Sequence, residues 1–213
     1  MLEAEIPFPV LIEKDVNLGA LGIKNFGVGK KAKNMLAVFV GTGIGGGLII
    51  DGKLYRGSNF VAGEIGHMLV EKKGPKCGCG KKGCFEAVAS RTAIVNRIIK
   101  DIKSGRQSKL SKQVKSGERI KSKSLASAVK SGDKVVRKRI KEGCSVIGGV
   151  LASISNLLNL DMIVLGGGMI EAIDFYMLPL IEESLYEHVL NDSAKGLKIV
   201  ASKLGDDAAV SGG

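Results

Sequence analysis

The chain of 213 residues has no tryptophan, and aromatic residues make up 4% of it. Stacking platforms for single-stranded nucleic acid are therefore scarce. No apolar run approaches the roughly 18 residues that a membrane helix needs. The opening "MLEAEIPFPVLIEKD" has no basic stretch leading into an apolar one, so no secretory signal is read there. Histidine occurs twice and cysteine four times, three of the four within eight residues. That clustering is unlike a disulfide framework, and the expected compartment is a reducing cytoplasm.

Apolar residues are 45% of the chain, enough for a real core. The net charge is +11. The plain reading is solvated surface lysine, and nucleic acid is not the expected partner. Residues 103–123 concentrate the bias, with eight Lys or Arg against one acid. They read as a polar, exposed excursion with fragments of helix. Strand and helix patterns alternate, which makes the class α/β, and an early hairpin makes the sheet mixed.

The thirty glycines are the excess. "NMLAVFVGTGIGGGLIIDGKLY" reads as a buried strand over 35–40, a glycine loop over 41–47, a strand over 48–50, and a turn at Asp51-Gly52. Gly41, Gly43 and Gly46 match G-x-G-x-x-G. A dinucleotide fingerprint needs a helix after the glycines, and strand follows here. The loop is instead expected to bring main-chain N–H groups to phosphate oxygens, with the Thr42 hydroxyl as a further donor. "LGGGMI" after a second buried strand is a similar loop. The stretch before the first loop reads as a strand delivering Asp15, with a helix over "LGALGI" after it. Further on, "EAVASRTAIVNRIIKDI" has helical spacing, a long helix follows a break at Gly132, and Pro179 marks the start or kink of another.

"HMLVEKKGPKCGCGKKGCFE" places His67, Cys77, Cys79 and Cys84 in a spacing suited to a Cys₃His zinc site. Five lysines around them favour thiolate. C-x-C is an awkward spacing for an unstrained bridge, and C-x-x-C is absent. Four protein ligands make a structural site. Glu64 and Glu86 flank it and would be held by it at one pocket.

Taken in order, "GTGIGGG", "AGEIGHM", "CGCGKKGCFEAVAS" and "IVLGGGMI" resemble bacterial sugar kinases of the ROK family, nearest to its glucokinases. The resemblance implies an actin-like ATPase (ribonuclease H-like) fold, with ATP, Mg²⁺ and a hexose held between two lobes. It implies Asp15 as catalytic base. It implies Lys14, Asp15, Glu64, His67 and Glu86 at the sugar, and His67, Cys77, Cys79 and Cys84 on a structural zinc. Gly41, Thr42, Gly43, Gly166, Gly167 and Gly168 fall at the nucleotide. The family is usually dimeric or tetrameric. Its repressor branch, which senses sugar without phosphorylating it, is the alternative reading. Residues 1–20 correspond to a remnant of the first lobe carrying the base, and 21–213 to the C-terminal lobe, with the knuckle at 64–86. Three departures stand out. Lys14 replaces the family's Asn beside the base, Ile23 replaces a glutamate, and no D-x-G-G-T phosphate loop occurs. An incomplete first lobe is the expectation that follows, from a truncated or split product or from a chain whose missing part a separately encoded segment supplies.

Overall fold

A computed structural model describes residues 12–202, 204 and 207–212. The first part of the strand expected before Asp15 lies outside them. A five-stranded mixed sheet forms the centre. Its strands are β1 (Met35–Val40), β2 (Ile44–Ile50), β3 (Lys53–Leu54), β4 (Met162–Gly166) and β5 (Lys198–Ala201). They lie in the order β3-β2-β1-β4-β5. β2 is antiparallel to β1 and β3, whereas β1, β4 and β5 run parallel. The α/β class and the mixed sheet are as the sequence implied. β1 is apolar throughout because both of its faces are covered.

One face carries α1 (Asp15–Asn25), whose Ala20 and Ile23 pack with Met35, Ala37 and Ile49. The helix runs unbroken through residues 20 and 21. It also begins at Asp15 itself, three residues ahead of "LGALGI", so Asp15 stands in the first turn of the helix and not at the end of a strand. On the other face Leu36, Val38, Ile163 and Leu165 meet the main core. That core is built by α2 (Phe85–Ala89), α3 (Arg91–Lys103), α4 (Ser111–Lys115), α5 (Ser122–Lys130), α6 (Lys134–Leu158) and α7 (Gly168–His188). Two short helices, α8 (Asn191–Ala194) and α9 (Asp207–Gly212), complete the described residues, and α9 lies against α1.

Several boundaries differ from the sequence reading. The pattern from Glu86 to Ile102 suggests one helix, but Ser90 divides it. The Ser90 backbone is extended, and its hydroxyl caps α3 by accepting from the Ala93 N–H at 3.2 Å. The basic excursion is folded rather than loose, since Leu110 and Ile120 are buried in the main core. The break at Gly132 is present, with φ +79°. The kink in α7 falls at Ile173, not at Pro179, which sits within the helix. Among the described residues, no helix is long and apolar enough to cross a membrane.

The main correction concerns the first glycine loop. Only residues 41–43 turn. Gly45, Gly46 and Gly47 are strand residues paired with Phe39, Val38 and Ala37. A methyl on Gly45 would lie 2.5 Å from Val16 Cγ1, and one on Gly47 would lie 2.6 Å from Ala20 Cβ. On the opposite face, a methyl on Gly46 would lie 2.8 Å from Ile65 Cδ1. These glycines are there to let neighbouring elements close on the strand.

Candidate functional site

Asp15 opens α1. Its Oδ1 accepts the Val16 N–H at 2.8 Å, and the side chain stays exposed. A carboxylate at this end of a helix is favoured by the helix dipole. Glu13, just ahead of it, fixes the entry to the helix. It accepts from the Lys14 N–H at 3.0 Å, Asn17 Nδ2 at 2.7 Å and Arg56 Nε at 2.6 Å. The Asn17 bond, with the Lys14 and Arg56 contacts, holds the Glu13 carboxyl below its usual range. Lys14 turns the other way. Its Nζ donates to Glu64 Oε1 at 2.6 Å, so the residue beside Asp15 is tied to an expected sugar ligand.

Glu64 leads into a single 3₁₀ turn, Ile65–His67, which packs on the start of β2. The turn gives the two nitrogens of His67 different surroundings. Nε2 lies 3.8 Å from Glu64 Oε2, while Nδ1 lies 3.7 Å from Cys77 Sγ. Glu86, in the first turn of α2, reaches the same place from the other side. Its Oε1 accepts from Cys77 Sγ at 3.1 Å, and its Oε2 from the Ile44 N–H at 3.4 Å. That second oxygen fills the space where a Gly43 side chain would stand.

The ligand atoms of His67, Cys77, Cys79 and Cys84 all lie within 4.8 Å of one another. Cys79 Sγ and Cys84 Sγ are 3.6 Å apart. The edge of a tetrahedron with zinc–sulfur bonds of about 2.3 Å is about 3.8 Å, so the donor set and its spacing fit such an ion. As free thiols the cysteines differ. Burial pushes Cys77 up to about 12 and raises Cys84, while the backbone N–H of Lys81 lowers exposed Cys79. Buried thiols that resist ionisation are the groups a divalent cation would stabilise as thiolates.

The glycine loops meet at one edge of the sheet. Parallel β1 and β4 end side by side at Val40 and Gly166. Gly167, with φ +88°, lies so close to Val40 that a methyl there would be 2.8 Å from both its N and its O. Gly168 then opens the 21-residue α7. Gly41 and Gly168 both face open space. The turn at 41–43 is held from behind, by Arg91 N–H to Gly41 O at 3.0 Å and Thr92 Oγ1 to Thr42 O at 2.7 Å. Open main chain at the C-terminal ends of parallel strands, where β1 and β4 lead into the turn at 41–43 and into the start of α7, is an arrangement suited to phosphate.

A cleft of about 420 Å³ lies alongside, lined in part by Thr42, Gly43, Cys77, Glu86, Thr92 and Asn96. Sequence reasoning missed Glu13, Arg56, Thr92 and Asn96. Glu13 alone left a signal, since it stands four residues before Asn17 at the start of a helix.

The profile of the ROK family matches residues 1–213. The chain belongs to the ROK family. It is 35% identical to the glucokinase of Halalkalibacterium halodurans over 213 residues, covering all of this chain and 64% of that protein's length. Among solved structures, a ROK family glucokinase from Streptomyces griseus, in complex with glucose and AMPPNP, is 30% identical with a TM-score of 0.87. It matches 99% of this chain and 69% of its own. A ROK family transcriptional regulator, homologous to the E. coli Mlc protein, is 28% identical with a TM-score of 0.89. That match covers 99% of this chain and 52% of the regulator. This ROK chain therefore spans about two thirds of the curated glucokinase it matches and about half of the regulator.

Proposed function

We propose that this chain carries the sugar-binding and much of the nucleotide-binding machinery of an ATP-dependent hexose kinase with an actin-like fold, glucose being the first sugar to test. The observation that carries the reading is the convergence of Glu64, His67 and Glu86 on one cysteine cluster, with Lys14 joining Glu64 to the base-bearing end of α1. Carboxylates accept strongly from vicinal hydroxyls, and an imidazole Nε2 adds a further polar partner. Asp15, exposed at the helix start, would take the proton of the 6-hydroxyl as that oxygen attacks the γ-phosphorus of ATP. Gly41, Thr42 and Gly43 would meet the phosphates, and Gly166 to Gly168 the adenosine side. Mg²⁺ would bridge the phosphates.

His67, Cys77, Cys79 and Cys84 would hold zinc, whose role is structural. His67 would hold the metal through Nδ1, the nitrogen on the cysteine side, which would leave Nε2 for the sugar in one tautomer. Bound there, zinc would join the His67 turn to the Cys77–Cys84 segment that leads into α2, and Glu64 and Glu86 would be held against each other through these residues.

The chain has no D-x-G-G-T segment. In this reading it binds sugar by itself and needs that phosphate loop for turnover. Coupled ATP turnover with glucose tests this, for the chain alone and for a longer chain carrying upstream sequence with that motif. Glucose binding here with turnover only in the longer chain is the expected result. Absence of glucose binding by this chain, or of turnover by the longer one, refutes the kinase reading. A second reading, sugar sensing without catalysis, is favoured by Lys14. Its ammonium brings donors and a charge to a place where the family's Asn both donates and accepts. Sugar binding in both chains with turnover in neither would select it.

A further inference from the structure

The positive charge is not spread over the molecule. Residues 100–141 hold fifteen of the 32 Lys and Arg but only three of the 21 Asp and Glu. The remaining 171 residues hold seventeen and eighteen, and are close to neutral. The basic segment is folded into α4, α5, the end of α3 and the start of α6, so the whole excess sits on one helical lobe.

Two of its three acids point inward. Asp101 is buried and gripped by Arg139, with bonds of 2.6 and 2.7 Å. The contact with Arg139 also holds its carboxyl below the usual range. Asp133 is buried too. It caps α6 through the Val135 and Val136 N–H groups and accepts from Ser108 Oγ and the Lys109 N–H. These same bonds gather the cations. The loop carrying Lys109 is pinned to the residue before Lys134. Lys138 lies one turn beyond Lys134 on α6. Arg106 touches Asp101 at 3.5 Å, the partner of Arg139 next to Lys138. Lys103, Arg106, Lys109, Lys134 and Lys138 are all exposed, and none of these four lysines makes a salt bridge among the described residues, Lys138 acting on Asp101 only through its charge.

The chemistry of this face narrows its partner. Residues 100–141 contain no aromatic residue, so single strands find nothing to stack on. They expose no large apolar side chain, so the face has no wedge for a bilayer and no anchor of the kind that dominates protein interfaces. What is left is a rigid array of mostly ammonium point charges. Such charges suit regularly spaced phosphates and read no bases. We propose that the face formed by Lys103, Arg106, Lys109, Lys134 and Lys138 binds the phosphate backbone of double-stranded nucleic acid without sequence preference. The inference does not rest on the kinase reading.

Anisotropy with two unrelated labelled 20-base-pair DNA duplexes, between 25 and 200 mM NaCl, tests it. With four to five phosphates neutralised, log K should fall against log salt with a slope of about −4, alike for both sequences. Replacing Lys109, Lys134 and Lys138 by Glu together should weaken binding at 50 mM salt more than tenfold and flatten the slope by about 2 to 3. The control replaces Lys30, Lys31 and Lys33, exposed lysines outside the lobe, by Glu. It makes the same change in net charge and should bind as the parent does. Thermal unfolding checks that both variants fold. Equal loss in both would reduce the effect to overall charge and overturn the proposal. So would no binding at 25 mM salt, or tighter binding to poly-glutamate, a single strand or anionic vesicles.

Discussion

Replacing Gly47 with alanine tests whether the glycine run of β2 serves packing or ligand. A methyl at Gly47 would lie 2.6 Å from Ala20 Cβ and 2.8 Å from the Val16 carbonyl oxygen. Non-bonded contacts are comfortable from about 3.5 Å. The carbonyl belongs to α1, so relief requires the helix itself to withdraw by about half an ångström or more. Overpacking of this kind costs about 1–3 kcal/mol. Removing a glycine from a strand returns ~0.5–1 kcal/mol of it. The middle of each range leaves about 1.25 kcal/mol, and for a chain of this size each kcal/mol moves the midpoint by about 2–4 °C, so a fall of roughly 2.5–5 °C is expected by calorimetry. Gly41→Ala is the counterpart. No atom lies within 4 Å of a methyl there, and the backbone is not left-handed. Its midpoint should hold. Its affinity for AMPPNP should fall about tenfold, the worth of one charge-assisted hydrogen bond at ~1.5 kcal/mol. An unchanged midpoint for Gly47→Ala would refute the packing argument. A fall in midpoint for Gly41→Ala equal to that of Gly47→Ala would show that the two positions do the same work.

Lys14→Asn should raise sugar affinity about two- to fivefold, because the sugar then no longer competes with an ammonium for Glu64; the half-exposed pair is worth only ~0.2–1 kcal/mol. Calorimetric titration with glucose checks it, and weaker binding would mean that Lys14 helps to hold the sugar. Chelation of the metal, or Cys79→Ser, should weaken sugar binding about ten- to a hundredfold while AMPPNP binding persists, since one or two charged ligands lose their position. Sugar affinity that survives with zinc shown absent by elemental analysis would end the idea of the metal as a brace. Asp101→Asn should cost about 1.5–3 kcal/mol near neutrality. The Asp101 carboxyl is held below its ordinary range when folded, so its contribution is present above the unfolded value near 4 and is lost as pH falls through the folded one. The gap between parent and variant, followed by denaturant unfolding from pH 7 to pH 3, should therefore close on the acid side.

What was legible in the sequence was chemistry at fixed spacing. His67, Cys77, Cys79 and Cys84 lie within eighteen residues, and the chain between them is too short to scatter them. The Asp51-Gly52 turn was equally local, with φ values of +49° and +77°. What was not legible depended on partners far along the chain. The helical period from Glu86 to Ile102 hid the break at Ser90, because Val88, Ile94 and Ile98 all face the core on either side of it. Proline is the usual mark of a kink, yet the one in α7 falls at Ile173, where nothing in the sequence distinguishes the position. The Lys14–Glu64 bond spans fifty residues, and nothing in the spacing of the two residues announces it.

The glycine run of β2 shows most clearly how a local reading and a tertiary one can diverge. Five glycines in seven residues looked like a surplus for any hairpin, and the surplus was assigned to phosphate. The structure divides it. Gly41 and Gly43 make the turn, and Gly43 also leaves room for the Glu86 carboxylate. Gly45 and Gly47 face Val16 and Ala20 of α1, while Gly46 faces Ile65 and the Gly63 carbonyl. Side chains alternate across a strand, so the run admits α1 on one face and the Glu64–His67 turn on the other. A side chain at any of the three would push one of these elements away from the strand. The distance between Lys14 and Glu64 is thus set by residues that have no side chains. β2 starts at the turn of residues 41–43 and seats both the start of α1, with Asp15, and the turn that follows Glu64, and for that reason substitutions at Gly45, Gly46 and Gly47 should disturb the proposed sugar binding although none of the three lines the cleft.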